Sequence, residues 1–253
     1  EDDGVLYMTC EWERELMALQ PFCEEEKWPE ATAAIIAYFE QQGRPLVFTG
    51  IEKAYAEFLG QYDGADFEIE DDRDNWDYVY EAEKLISLSG RKLHSKKNHL
   101  NAFRKTYPQA EYLPLPEDII TACKIELHNW NKLRSQEEPD DHFIGWERKA
   151  IMEIFNDFAY FKLKGGAIRL DDRIIAFTFG EALNADTAVI HVEKADPNIR
   201  GAYPAINQGF VEHAWSAMTY INREEDMGHE GLRKAKESYK PFKMIEKFNA
   251  HRK

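Results

Sequence analysis

Ala167-Ile168-Arg169-Leu170, Asp171-Asp172, Arg173-Ile174-Ile175-Ala176-Phe177-Thr178-Phe179-Gly180 and, after Asn184-Ala185-Asp186, Thr187-Ala188-Val189-Ile190-His191-Val192 form the stretch whose reading decides the fold. Two apolar runs flank a two-residue connection of the kind that closes a hairpin, and a third follows a second turn, so three consecutive strands are expected. Before them, Glu117 to Leu133 and Trp146 to Phe158 place apolar residues at helical spacing, with Pro116 suited to a first helical turn. After them, the Asp196-Pro197-Asn198 break leads into a helix expected over Pro204 to Met218. A strand at Thr219 to Asn222, a helix at Gly231 to Tyr239 and a strand at Lys243 to Phe248 complete the half.

That order of helix, helix, three strands, helix, strand, helix, strand is similar to the acyl-CoA N-acyltransferase, or GNAT, fold, a mixed-sheet α/β architecture. The first half reads as a degenerate second copy. It offers a helix over Pro29 to Gln42, a strand over Pro45 to Phe48, a helix over Glu52 to Leu59 and a strand over Ala65 to Glu70. A long helical region from about Asp77 to Lys105 follows, interrupted near Ser89-Gly90, and Glu111 to Leu115 is extended. Prolines near Tyr112 to Pro116 break helical continuity, so two tandem GNAT-like domains are expected over residues 1–113 and 114–253.

Composition bounds the class. At 253 residues with 43% hydrophobic and 13% aromatic content, the chain can bury two cores. No apolar run reaches the ~20 residues of a transmembrane helix. Three cysteines, Cys10, Cys23 and Cys123, lack metal spacing, which fits a reducing compartment and a cytoplasmic location. Glu1 is not an initiator Met, so further N-terminal sequence is expected. The net charge of −15 is unevenly spread: residues 1–84 carry 23 Asp and Glu against 6 Lys and Arg. The bases gather in Arg91 to Lys105 and Arg233 to Lys253.

Four groups of residues can carry chemistry. His191 and Glu193, two apart on a strand, face one side and suit a general base oriented by a carboxylate, whereas Lys194 faces the other. Arg200-Gly201-Ala202-Tyr203 sits where an acyltransferase of this fold binds pyrophosphate at a helix N-terminus, but one glycine and a bulky tyrosine make an incomplete cradle. Asn222-Arg223-Glu224-Glu225-Asp226-Met227-Gly228 and the following Arg233, Lys236 and Tyr239 suit a clamp for a carboxylate or phosphate, or salt bridges among themselves. The helix with Lys96 and Lys97 is basic but lacks interleaved aromatics, which argues against sequence-specific DNA binding and leaves a tRNA acceptor end or an anionic headgroup as electrostatic partners.

Together these segments resemble the DUF2156 group, related to the C-terminal domain of phosphatidylglycerol lysyltransferase. The resemblance rests on Tyr78-Val79-Tyr80, on Leu88-Ser89-Gly90-Arg91-Lys92-Leu93-His94 with Lys96-Lys97-Asn98-His99-Leu100-Asn101, and on His191-Val192-Glu193-Lys194-Ala195. Its most specific part is Asn222-Arg223-Glu224-x-Asp226-x-Gly228 with Leu232-Arg233-Lys234-Ala235-Lys236-x-Ser238-Tyr239-x-Pro241, and it covers about residues 65 to 250. It implies two tandem GNAT-like domains and relatives that move an aminoacyl group from aminoacyl-tRNA to a lipid hydroxyl beside a membrane-spanning region that this chain does not show. It also implies that Arg233, Lys236 and Tyr239 lie near a catalytic cleft.

The expectation is therefore an acyl or aminoacyl transferase with its cleft between the two domains, using aminoacyl-tRNA or an acyl-CoA as donor and no metal. His191 with Glu193 would act as base, Arg223, Arg233 and Lys236 would hold the anionic donor, and Asn222 or Tyr239 would stabilise the oxyanion. Lys194, Arg200, Gly201, Tyr203, Glu224, Asp226, Lys96 and Lys97 complete the candidates for substrate binding. The alternative is a non-catalytic protein that binds a small anionic metabolite or amino acid, and transient membrane contact is compatible with either.

Overall fold

The final strand expected at Lys243 to Phe248 is instead two strands that join different sheets. A computed structural model describes residues 4–12, 14–137 and 143–253 and divides into two compact units that are discontinuous in sequence. Unit 1 gathers residues 1–77, 225–233 and 244–253; unit 2 gathers 78–224 and 234–243.

In unit 1, β1 (Thr9–Trp12), β2 (Glu15–Ala18), α1 (Trp28–Gln42), β3 (Val47–Glu52), α2 (Lys53–Leu59) and β4 (Phe67–Asp71) follow in order. Apolar residues at helical spacing explain α1: Ala31, Ile35, Ile36 and Phe39 are buried on one face, and Gly43 in a left-handed conformation ends it. Phe48, Ile51 and Tyr55 pack against that face.

In unit 2, β5 (Asp77–Glu81), which begins one residue before it, leads to α3 (Ala82–Ser87), α4 (His94–Thr106), β6 (Glu111–Pro114), α5 (Glu117–Glu137), α6 (Phe143–Asn156) and α7 (Phe158–Phe161). Then come β7 (Lys164–Leu170), β8 (Arg173–Ala182), β9 (Thr187–Ala195), α8 (Ala202–Ala214), β10 (Tyr220–Asn222) and α9 (Glu230–Glu237), which begins in unit 1. β11 (Lys243–Ile245) and β12 (Lys247–Arg252) end the chain.

The five-stranded sheet runs β1-β2-β3-β12-β4 and the seven-stranded sheet β11-β5-β10-β9-β8-β7-β6. The expected hairpin forms, with Leu170 opposite Arg173 and Asp171 in the left-handed region that aspartate tolerates. β9 and β10 run parallel with α8 as their crossover. Against β7 and β8, α5 and α6 bury Cys123, Leu127, Ile151 and Phe155 on Phe177 and Phe179.

One further expectation changes. The helical region expected from Asp77 begins instead as β5, because Tyr78, Val79 and Tyr80 are all buried. A short, continuous apolar run has no period that separates strand from helix, and aromatic and β-branched residues favour the strand. The two compact units are each assembled from separate stretches of chain. Residues 78–113 pack with the second half, because β5 pairs with β10 and β6 with β7, pairings that cross sequence order. No helix among the described residues is long and apolar enough to cross a membrane.

Candidate functional site

β8 and β9 pair out of step at one place. The register passes from Phe179 opposite Val192 to Gly180 opposite Ile190, so His191 is the extra residue of a β-bulge. Glycine is needed opposite it: a Cβ on Gly180 would stand 2.0 Å from the carbonyl oxygen of Val189. Further along, β10 ends at Asn222, whose Oδ1 accepts a hydrogen bond from the Glu224 N–H at 2.7 Å, and Glu224 adopts φ 55°. That side-chain-braced turn returns Arg223 and Glu224 toward β9.

The two devices build a pair of adjacent ionic contacts. His191 Nδ1 meets Glu224 Oε1 at 2.7 Å and its Nε2 meets Glu181 Oε1 at 3.0 Å. Arg223 Nη2 donates to Glu193 Oε1 at 3.0 Å, and Asn207 Nδ2 on α8 donates to Glu193 Oε2 at 2.8 Å. The expected His191–Glu193 pair does not form. The bulge breaks the strict two-residue alternation on which that expectation stood, so His191 turns to Glu224 and Glu181 while Glu193 serves Arg223. Lys194 does face the other way, where its ammonium meets Glu147 of α6 at 2.6 Å.

Only an imidazolium can donate from both ring nitrogens, so two carboxylate partners favour the protonated ring. The hydrogen bond to Glu224 is the chief cause that raises the His191 pKa; burial opposes it and Glu181 adds to it. Stability from this raised pKa is fully present below the unfolded histidine's value of about 6.5 and is lost as pH rises through the folded value. A His191→Gln variant is therefore expected to show its largest deficit in melting temperature against the parent in acid, with the deficit shrinking on the alkaline side. A deficit independent of pH from 5 to about 9 would exclude the charged pair.

Beside these contacts two cations converge on one aromatic ring. The Arg223 guanidinium lies 4.9 Å from the Tyr239 ring centroid and 5.6 Å from that of Tyr80, and the Lys96 ammonium lies 4.4 Å from Tyr239. Burial, and then Arg223, push the Lys96 pKa down. Arg223 Nη1 and Asn207 Oδ1 are buried and have no hydrogen-bond partner among the described residues. Arg223, Lys96, Tyr239 and Glu193 thus form a cluster with more positive than negative charge and an orphaned donor, the chemistry that receives an anion.

Other candidates serve elsewhere. Lys236 is buried and donates to the backbone carbonyls of Arg223 and Glu224 at 2.6 and 3.1 Å, so it holds the turn. In unit 1, Asp226 is fully buried and accepts from Arg233 Nε at 2.9 Å, Arg233 Nη2 at 2.7 Å and the Gly228 N–H at 3.0 Å. Arg233 also meets Asp74 at 2.6 Å. Lys97 and Arg200 are exposed, and Tyr203 is 44% exposed. Gly201 caps α8 at φ 91°, and a Cβ there would meet Phe103 Cβ at 2.8 Å and the His99 carbonyl at 2.9 Å. α4 therefore packs on this side of the turn expected to cradle a pyrophosphate.

Glu181, Asn207 and Tyr80 were missed. Glu181 was legible as the acid that abruptly ends the apolar run of β8, and Asn207 as an amide among the apolar residues of α8. Tyr80 stood out only as part of the Tyr78-Val79-Tyr80 segment, with no role attached; in the fold its hydroxyl donates to the Lys236 carbonyl at 2.8 Å.

The family model of the phosphatidylglycerol lysyltransferase C-terminal domain matches residues 1–251. The chain belongs to this family. The match is wider than the span of about 65 to 250 on which the motif resemblance stood. A conserved protein of unknown function from Bacteroides thetaiotaomicron has the same fold at TM-score 0.91 and 33% identity, over 99% of this chain and 84% of that one. L-PGS from Bacillus licheniformis superposes at TM-score 0.68 and 14% identity, over 99% and 82%. A tandem GNAT protein from the clavulanic acid biosynthesis pathway superposes at 0.54 and 9%, over 94% and 75%. The mixed α/β fold is thus of the tandem GNAT-like kind. An uncharacterised protein of Mycoplasmoides gallisepticum is 29% identical over 174 residues, 68% of this chain and about half, 54%, of that relative's length.

Proposed function

We propose that the chain is an acyltransferase that moves an aminoacyl group from an aminoacyl-tRNA to a hydroxyl or amine acceptor, with unit 2 carrying the reacting groups. The observation that carries this reading is the orphaned Arg223 guanidinium edge beside Lys96 and Tyr239, next to a doubly hydrogen-bonded His191. Aminoacyl transfer breaks the ester C–O bond to the ribose and forms a new bond from the acceptor to the carbonyl carbon. The negative charge that develops on the carbonyl oxygen needs fixed positive partners, a role that suits Arg223 and Lys96. His191, held protonated, suits the acid that returns a proton to the ribose oxygen, and the half-exposed Glu181 suits the acceptor of the proton that the nucleophile loses. This exchanges the role expected from the sequence, in which His191 was the base.

Family membership supports the aminoacyl class over acyl-CoA, and so does the close packing of Gly201 on α4. The test is transfer of a radiolabelled aminoacyl group from a panel of aminoacyl-tRNAs, lysyl-tRNA included, to phosphatidylglycerol vesicles and to small hydroxyl and amine acceptors. Label should move to one acceptor, and Glu224→Gln, which removes a partner of the imidazolium, should lower the rate by about 10²-fold. Thermal stabilisation by coenzyme A thioesters, with none by aminoacyl-adenosine analogues and no transfer, would overturn the donor assignment. Stabilisation by free amino acids with no transfer would favour the non-catalytic binding protein.

A further inference from the structure

A cavity of about 200 Å³ lies between α4, β6, β7 and α8, and its lining is of two kinds. Leu100, Phe103, Ile168 and Ala205 are buried and apolar, whereas Arg104 and Glu212 are exposed and charged. The cavity therefore has an apolar floor and a polar rim. Leu100 and Phe103 also close α4 between Arg104 and Lys96, with Phe103 packed close to Gly201 at the start of α8. That makes the cavity a site of its own, apart from the cluster around Arg223.

At the rim, Arg104 Nη2 donates to Gln208 Oε1 at 3.0 Å, and Gln208 Nε2 donates to Glu212 Oε2 at 2.8 Å. One neutral amide thus holds a cation and an anion apart, and neither meets an opposite charge among the described residues. Two charges of fixed separation that do not neutralise each other complement a zwitterion, whose carboxylate suits the guanidinium and whose ammonium suits Glu212 Oε1. The wall is aromatic. A Cβ on Gly166 would stand 2.2 Å from the Tyr112 hydroxyl and one on Gly209 2.9 Å from its ring, so two glycines clear the seat for this side chain. His213 stacks on Tyr112 at 4.3 Å and 17°, and Tyr107 joins them in the lining. A dry apolar cavity of roughly 150 Å³ already holds a benzene ring. The volume here leaves room for that ring and for the few atoms that join it to a charged head at the rim.

We infer that this cavity binds a free α-amino acid with an aromatic side chain, its ring on the floor beside Tyr107 and Tyr112 and its charged head between Arg104 and Glu212. The ligand is distinct from any aminoacyl donor. An amino acid esterified to a nucleotide has no carboxylate to offer Arg104, and the floor is closed toward Lys96 and Arg223. The site thus stands independently of the transferase reading.

The experiment is titration of the isotope-labelled full chain with L-phenylalanine, with phenethylamine, which lacks the carboxylate, and with 3-phenylpropionate, which lacks the ammonium, followed by NMR. Phenylalanine should move the Gln208 side-chain amide and the ring resonances of Tyr107 and His213 saturably, and should bind about tenfold more tightly than either fragment. Arg104→Gln should weaken phenylalanine by about tenfold and leave phenethylamine unchanged; Glu212→Gln should weaken phenylalanine to a similar degree and spare 3-phenylpropionate. Both positions are exposed, so the variants keep the fold. No saturable shift in the cavity, fragments that bind as tightly as phenylalanine, or phenylalanine binding that ignores both substitutions would overturn the inference. Shifts at Lys96 and Arg223 with the cavity silent would do the same. Aminoacyl transfer without phenylalanine binding would remove this site and keep the transferase, whereas phenylalanine binding in the cavity without transfer from any donor would keep the site and remove the transferase.

Discussion

Asp226→Ala is expected to destabilise unit 1 by about 3–5 kcal/mol, the cost of removing one partner from a buried charge network. The carboxylate is fully buried and accepts two hydrogen bonds from Arg233, one from the Gly228 N–H and a longer one, at 3.4 Å, from Arg73. Truncation takes a carboxylate partner from two guanidinium groups and a backbone donor; Arg233 keeps Asp74, and alanine supplies no substitute for the rest. The Arg73 and Arg233 side chains are 31% and 29% exposed, so water can reach them and the lower end of the range is favoured. Asp226→Asn keeps an oxygen for Gly228 and should lose less. Urea denaturation of the three proteins gives the answer; a loss under about 1 kcal/mol for Asp226→Ala would show that the network relaxes around the gap.

On the proposed transferase reading, Arg223→Met should lower aminoacyl transfer by about 10²- to 10³-fold, the usual effect of removing one fixed donor from a developing oxyanion. The methionine fills similar space between Tyr80 and Tyr239 and carries no charge. It also leaves Glu193, 11% exposed, with Asn207 as its hydrogen-bond partner, so a stability loss accompanies the loss of rate. The Arg223→Met, Glu193→Gln double variant separates the two effects, because it should recover stability without recovering turnover. Arg223→Lys should rescue little, since a single ammonium cannot fork between Glu193 and a substrate oxygen. Full transfer activity in Arg223→Met, measured on folded protein, would remove the residue from the reaction.

The β7-β8-β9 strands and their flanking helices were legible because hydrophobic period and turn residues agree there. Arg173 to Gly180 is buried throughout except at Arg173 itself, and Asp171-Asp172 marks the turn. What the sequence hides is pairing across distance. Whether Tyr78-Val79-Tyr80 is a strand depends on β10, some 140 residues later, and which sheet receives Lys243 to Arg252 depends on β3, β4 and β5. In the site, the residue types were readable and their partners were not. His191, Glu193, Arg223 and Glu224 stood out as ionisable groups at strand ends, yet a single extra residue in β9 redistributed every pair. A bulge adds one residue to one strand and leaves no mark on composition. Its nearest trace is Gly180, which alone leaves room for the Val189 carbonyl.

The order β1-β2-β3-β12-β4 also sets a timetable for synthesis. The strand between β3 and β4 is supplied by Lys247–Arg252, so residues 1–77 leave the ribosome with an open seam where β12 belongs. Unit 2, whose segments lie between, can largely assemble first, while residues 1–77, made before it, wait for β12, made after it. Two exposed strand edges in a nascent chain invite pairing with neighbours, and the surplus of acid in residues 1–84 is the kind of charge that keeps such edges apart until the strand arrives.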